Sequence, residues 1–579
     1  MLLLLGLILA SYAASVAGAV VTSFLVDLGH SPSPAILALG PVVTRVISER
    51  STASVIVNSS GLICAGAAST STAATATSTP PFDYTILLHI NASSLGPEAF
   101  AITECTGAAG AVGGVLIEGG DPLGVLYGIG QFLHTSTFDD SGVVPSTWRG
   151  TSAPQAPGSM RAAYLATHFM NFFQAAPPAK VAAYVEDLGL WGLNTLLVTI
   201  PLQQFTGIED PSLTTLIALL QSIFASAKGV GIEVGLLHVP NQGFSTRPAN
   251  IAYTPFPDPD RVRGNLGFLT CAHSGQGYLE NASSAIFSNF SALDTLLFWP
   301  YDEGGCGCET DWPWGARGFP SISSTVLANA RLQFPGLKAV LSTWMFDQPL
   351  AGEFDGLDIY LRHNTTPATA INAIMADNHA DFPAWPLEHN GAPGGLPLYN
   401  FPEISMWGRS PWGGFGANPL PARFQHLWNE TKGLVTGGAP YSEGIYNDIN
   451  MVIALRHYWD AGASSSATVT AYASFEFGAL AAVPVASVMA TLENNWQSPV
   501  SSALNVSAAL EAVDVGMSDK LKVSWRWRQL LLRGRLDAQL FIDHGRVNCS
   551  NALMVAAFKE LALIYYASQA EPRVRPPCT

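Results

Sequence analysis

Positive charge is scarce in this sequence: 27 Lys and Arg stand against 43 Asp and Glu, a formal net charge of −16, and only 12% of its 579 residues are charged. A surface that tracks phosphates needs a basic face. The one local concentration of arginine, Arg526, Arg528, Arg533 and Arg535, alternates with Trp525, Trp527 and leucines, as in a helix with a cationic side. Nucleic acid is therefore excluded as an expected partner. Cysteine is scarce too. Seven in so long a chain are too few for a disulfide scaffold. Cys64 with Cys105 and Cys549 with Cys578 are candidate staples, the connectivity being unreadable from sequence. No membrane span is expected beyond the N-terminus. There, Met1-Leu-Leu-Leu-Leu-Gly-Leu-Ile-Leu-Ala10 and the small residues through Gly18 are shorter than a span and match a secretory leader. No Lys or Arg precedes that apolar core, so an uncleaved anchor is the alternative reading.

What is present in quantity is apolar surface. At 48% hydrophobic the chain buries a large core and is not disordered, and its length calls for two or three domains. Eight Asn-X-Ser/Thr sequons, at Asn58, Asn91, Asn281, Asn289, Asn364, Asn429, Asn505 and Asn548, point with the leader to a glycosylated, secreted or extracytoplasmic protein. The expected divisions are a signal peptide over 1–18, an N-terminal α/β domain over 19–150, a barrel over 158–462 and a helical domain over 463–579.

Within the first domain, Tyr84–Ile90 and Gly114–Glu118 read as strands, Gly124–Leu133 opens a helix, and the Ser/Thr/Ala/Pro tract from Ser69 to Pro81 is a surface loop. Past the Pro-, Ser- and Gly-rich crossing from Pro145 to Ser159, short apolar runs alternate with longer amphipathic ones. Strands are expected at Arg161–Leu165, Asn194–Ile200, Ile232–His238, Thr295–Trp299, Lys338–Trp344, Leu357–Leu361, Leu398–Glu403 and Leu434–Glu443, and a closing helix at Asn447–Trp459. Eight strand-then-helix units give the fold class: α/β, with a central (β/α)8 barrel between an N-terminal α/β domain and a mainly helical C-terminal region.

The richest motif is Leu296-Leu-Phe-Trp-Pro-Tyr-Asp-Glu-Gly-Gly-Cys-Gly-Cys308, a buried strand that delivers Asp302 and Glu303 into a glycine-rich loop. Paired carboxylates at the C-terminal end of a barrel strand suit acid/base chemistry; the duller reading is a solvated loop or a helix cap. Cys306-Gly-Cys308 keeps two readings open: a zinc site with Cys271 and His273, or a disulfide from Cys271 to Cys306 or Cys308. No resident metal and no cofactor are expected.

Several segments resemble a known group. Asp83-Tyr-Thr-Ile, Gly96-Pro-Glu-Ala-Phe-Ala-Ile102 and Gly124-Val-Leu-Tyr-Gly-Ile129 are similar to the small α/β domain that precedes the barrel in exo-glycosidases, among them the family 20 β-N-acetylhexosaminidases and the related α-glucuronidases. Met160-Arg-Ala-Ala-Tyr-Leu-Ala-Thr-His-Phe169 is similar to the first barrel strand of the hexosaminidases, and Asp302-Glu303 stands where they carry an Asp-Glu dyad. The dyad's usual preceding His-X-Gly-Gly is replaced here by Trp299-Pro-Tyr301, with the glycines following. The resemblance implies a secreted, exo-acting, retaining glycoside hydrolase with a carbohydrate substrate. Glu303 would be the general acid and Asp302 the orienting carboxylate. Glu443, Glu403 or Asp347 would supply any second carboxylate. Aromatic faces for sugar rings would come from Trp299, Tyr301, Trp344, Trp407, Trp412 and Tyr441, and polar recognition from Arg161, His168 and His238. The rival is a non-catalytic carbohydrate-binding or cell-surface glycoprotein on the same fold. Nothing in the sequence sets the oligomeric state.

Overall fold

Runs such as Thr195-Leu-Leu-Val-Thr199 and Glu233-Val-Gly-Leu-Leu-His238 are apolar on both faces, as strands of a parallel sheet covered on both sides must be. In the computed structural model, which describes residues 19–29, 31–60, 82–105, 113–251, 254, 269–301, 304–348, 351–363, 366, 369–378, 381–402, 416–494 and 500–567, these runs become barrel strands. The chain divides into two units. One holds Met1–Ala153, Thr470–Ala486 and Glu511–Trp527; the other holds Pro154–Val469, Ser487–Leu510 and Arg528–Thr579. The helices past residue 465 are thus shared out between the two units.

The first unit is built on a six-stranded sheet in the order 54–58, 23–27, 84–90, 113–119, 100–104, 150–152. Its first four strands are parallel and the last two antiparallel to their neighbours. Ser33 and Asp121 cap the helices Pro34–Arg50 and Pro122–His134 by accepting from Ile36 and Gly124 N–H. Residues 23–27, which follow the expected leader, lie inside this sheet, paired on both edges. Arg50, only 4% exposed, reaches Glu476 at 2.6 Å, and Arg526 approaches the same carboxylate at 3.8 Å. The later segments therefore complete this unit's interior.

The second unit is the barrel. Strands one to seven are Ala162–Leu165, Thr195–Thr199, Glu233–His238, Thr295–Phe298, Lys338–Ser342, Ala373–Asp377 and Leu398–Phe401, each parallel to the next. The eighth position is split. Gly437–Gly438 pairs with strand seven and Tyr441–Ser442 with strand one, so the ring closes. A bridge from Arg161 to Gly438 seals the seam. Gly438 packs its backbone against Asn400 and Tyr458 with no room for a Cβ, which explains the Gly-Gly pair here.

One expected strand is corrected. Leu357–Leu361 lies within the helix Glu353–His363, and strand six is Ala373–Asp377. The helix wins because Phe354 and Leu357 bury one face and acids fill its first turn. Arg362 and His363 fill the last, and Arg362 pairs with Asp358 at 2.8 Å. Ile359, inward in a strand reading, is 60% exposed. Among the described residues no helix is long and apolar enough to cross a membrane.

Candidate functional site

Side chains alternate along each strand. Met160, Thr195, Glu233, Thr295, Lys338, Ala373 and Tyr399 line a small cavity of about 30 Å³ at the N-terminal end of the barrel, room for about one water. Lys338 and Glu233 close that end with a bond of 2.7 Å. The same parity carries inward to Asp377 and Phe401 at the opposite, C-terminal mouth.

There the strands deliver aromatic rings that meet across the barrel. Phe401 touches Trp299 at 4.9 Å, Trp344 at 5.7 Å, Tyr441 at 5.8 Å and Tyr164 at 6.4 Å between ring centres. Trp299 and Trp344 stack at 5.4 Å, and Tyr164 lies 5.0 Å from Tyr441. Five strand positions, one, four, five, seven and eight, thus share one aromatic floor. Phe401 is its buried centre, and Trp299, Trp344 and Tyr441 keep 7–9% of their surface exposed. Their offset and edge-on contacts are the ones ring quadrupoles favour.

Beside this floor stands Glu443, 8% exposed, just past the eighth strand. Tyr441 donates its hydroxyl to Glu443 Oε1 at 3.0 Å. The Glu443 main-chain oxygen accepts from Asn171 Nδ2 at 2.9 Å and from the Tyr565 hydroxyl at 2.8 Å. Asn171 also holds Ala166 O at 2.8 Å, which ties strand one to strand eight. Burial, then Tyr566 and the charge of Glu443, keep the Tyr565 hydroxyl protonated well above its usual range. A carboxylate held this way is pre-aimed: its backbone is fixed from two helices and its side chain from its own strand.

His168 follows strand one, stacked with Tyr164 and Tyr441, and its Nδ1 has no hydrogen-bond partner among the described residues. Burial lowers its pKa to about 4, so at neutral pH the ring is uncharged and suited to a neutral hydroxyl. Past strand six, Asn378 is fully buried, and neither side-chain atom of its amide is hydrogen-bonded among the described residues. Asp377 and Asn378 were not among the expected site residues. Their signal was Ala373-Ile-Met-Ala-Asp-Asn378, an apolar run ending in an acid, as strand four does.

Three expected recognition residues are corrected. Arg161 precedes strand one, at the N-terminal end of the barrel. It is 1% exposed, with Nε donating to Gly192 O at 2.8 Å and its guanidinium 5.5 Å from the Trp459 ring. It fastens the base of the barrel. His238 points out of the barrel to Ser283 at 2.9 Å, between Phe287 and Phe298, and burial lowers its pKa to about 4. Tyr301 is fully buried and gives its hydroxyl to Glu353, which also accepts from Gly315 N–H at 2.9 Å. Asp347 accepts the Glu353 N–H at 2.7 Å, a local fastening. Asp302, Glu303, Glu403, Trp407 and Trp412 lie outside the described residues.

Of the two readings for the cysteines, the structure has a disulfide between Cys271 and Cys306, with Cys308 a free thiol. Cys105 and Cys549 are also in disulfides; Cys64 and Cys578, the partners expected for them, lie outside the described residues.

No protein-family model matches the sequence, and no curated protein is detectably similar to it in sequence. Solved structures share its fold. A glycoside hydrolase family 115 4-O-methyl-α-glucuronidase with specificity for decorated arabinogalactans aligns at a TM-score of 0.57 and 12% identity, covering 94% of this chain and 76% of that one. The family 89 protein from Clostridium perfringens, in complex with its substrate GlcNAc-α-1,4-galactose, aligns at 0.56 and 13% identity over 82% of this chain. This chain spans 61% of that protein's length. A family 138 enzyme targeting pectin rhamnogalacturonan II aligns at 0.51 and 10% identity, covering 93% and 74%. At such identities the likeness is one of fold.

Proposed function

We propose that this protein is a glycoside hydrolase, exo-acting and retaining, with its chemistry at the C-terminal mouth of the barrel. The observation that carries the reading is Glu443, a nearly buried carboxylate oriented by Tyr441 against an aromatic floor that can stack on the C–H face of a sugar. The shared fold supports it, because active sites on barrels of this type form at the C-terminal ends of the strands. Sequence order adds Glu303 as the proton donor to the leaving oxygen and Asp302 as the orienting carboxylate, both following strand four. Glu443 is then the group that captures or stabilises the oxocarbenium-like centre. The carbohydrate class is left to the screen.

Secretion is part of the proposal. Processing of the leader would end before Val21, since Ser23–Asp27 is an inner strand of the N-terminal sheet. Exposed sequons support passage through a glycosylating compartment.

A panel of chromogenic α- and β-monosaccharide glycosides tests the reading. Turnover of at least one, with product released in the anomeric form of the substrate by NMR, is expected. Binding of sugars without turnover of any panel member, by the purified full chain, would replace it with the non-catalytic carbohydrate-binding reading.

A further inference from the structure

A second cluster of reactive groups lies in the barrel unit, in the segments that follow strands three and four. The sulfurs of Cys271, Cys306 and Cys308 and a carboxylate oxygen of Asp311 all lie within 4.8 Å of one another. His273, the fourth ligand in the zinc reading of the sequence, is exposed and gives Asp311 only its backbone N–H, at 3.3 Å. Asp311, 3% exposed, takes its place. A zinc-class ion, bonded at about 2.3 Å to sulfur and about 2.0–2.2 Å to oxygen, holds tetrahedral ligand atoms roughly 3.5–3.8 Å apart. A contraction of about 1 Å would bring the most distant of these atoms into that range.

Backbone N–H groups face two of the sulfurs, against burial and the Asp311 carboxylate, which raise the pKa of the Cys308 thiol. Thr254 N–H donates to Cys306 Sγ at 3.3 Å, and the backbone N–H groups of Thr310 and Asp311 donate to the sulfur of Cys308. Cys271 caps the 16-residue helix Ala272–Phe287 and sits at its positive end. Such outer contacts orient and stabilise thiolate ligands. One buried amide locks the two segments together. Asn241 Nδ2 donates to Gly305 O at 2.8 Å and Thr270 O at 3.0 Å, while its Oδ1 accepts Gly305 N–H at 3.0 Å. The ligand positions are therefore held by bonds that do not depend on the disulfide.

We infer that Cys271, Cys306, Cys308 and Asp311 form a redox-gated site for one soft divalent cation of the zinc class, closed by the Cys271–Cys306 bond and opened by its reduction. With a phosphine as reductant, phosphorus is oxidised to the phosphine oxide with oxygen from water, and the two sulfurs take up two protons. As the ion enters, the three thiols release their protons, and the Asp311 carboxylate supplies the fourth ligand.

The test is Co²⁺ titration of the full chain, oxidised and phosphine-reduced, under nitrogen, followed by displacement with Zn²⁺. The reduced chain should take up one Co²⁺ with sulfur-to-cobalt charge-transfer absorption, bleached by Zn²⁺, and the oxidised chain should show no such absorption. Cys308→Ser leaves the disulfide in place and should weaken the reduced site by more than about 100-fold, beyond the loss of an outer-shell contact. Asp311→Asn should weaken it as well, and Cys549→Ser should not. A reduced chain without the charge-transfer band, or a Cys308→Ser chain that keeps it, overturns the inference. So does a chain that unfolds on reduction and then binds Co²⁺ no better than Cys308→Ser.

Discussion

Tyr441 and Glu443, two residues apart at the end of the eighth strand, point the same way, and the phenol donates to the carboxylate at 3.0 Å. The bond fixes one oxygen of the carboxylate in place. Glu443→Gln should lower kcat by at least about 10²-fold, the scale of losing one group that meets developing charge. Tyr441→Phe removes a hydrogen bond to a charged acceptor, worth about 1.5–3 kcal/mol, so kcat/KM should fall roughly 10- to 100-fold. Steady-state kinetics of both variants on any substrate found in the screen checks this. Full activity in Glu443→Gln would remove Glu443 from the mechanism.

The proposed roles at strand four separate by leaving group. Glu303→Gln should cost roughly 10²–10⁴-fold on an unactivated oligosaccharide and far less on an activated aryl glycoside, which needs little protonation. Asp302→Asn should slow both. Equal losses on the two substrates in Glu303→Gln would assign the proton donor elsewhere, with Asp377 the next residue to replace.

The aromatic floor separates substrate contact from packing. Trp344→Ala should raise KM for a glycoside and also cost some stability, because the indole lines the mouth yet is only 8% exposed. Phe401→Ala removes the ring on which four others pack, and should cost about 3–5 kcal/mol of stability. Denaturant unfolding beside KM values distinguishes the two.

Stability should fall in mild acid. His238 is held neutral by burial, its pKa lowered to about 4 from 6.5. Between those values the unfolded chain binds the proton that the folded chain refuses. The stabilisation is therefore present above pH 6.5 and drains away as pH drops toward 4. By pH 5 the loss from this one ring is about 2 kcal/mol. His238→Gln should flatten that part of the melting-temperature profile between pH 7 and pH 5. An unchanged profile would show the ring to be solvated.

Glycan mapping by mass spectrometry of the protein secreted from a eukaryotic host should find Asn58, Asn281, Asn429, Asn505 and Asn548 modified, since all five are exposed. Asn91 and Asn289 should be empty. Their amide nitrogens are committed to Glu118 at 2.9 Å and Ala285 O at 2.7 Å. Occupancy of those two in preference to the exposed five would contradict this.

Most barrel strands were legible because each is a short apolar run set off by turns. Strand six was not: Leu357-Asp-Ile-Tyr-Leu361 alternates as a strand does, and only its charge placement and the burial of Phe354 mark it as helix. The site was less legible than the fold. Arg161, His238 and Tyr301 lie in or beside strands whose positions were read well, yet a sequence does not say which end of a strand a side chain serves or which way it points. Arg161 is at the wrong end, and His238 and Tyr301 turn to buried partners. Glu443 and His168 lie at the C-terminal end of the barrel, where they were expected, because each follows its strand directly. Asp377 was missed with the strand that carries it.

The pairing of Arg50 with Glu476 sets an order on how the chain is made. Synthesis delivers residues 1–153 first, with a guanidinium that ends up 4% exposed. Its carboxylate partner emerges only after every strand of the barrel has been translated. Until then the N-terminal sheet must leave Arg50 in water or bury it with only the half-exposed Glu49, at 3.5 Å, as counter-charge, and losing one partner of a buried pair costs about 3–5 kcal/mol. The part of the protein that is born first is therefore finished late. A fragment cut after residue 153 should fall short of an independent domain unless segments 470–486 and 511–527 are supplied with it.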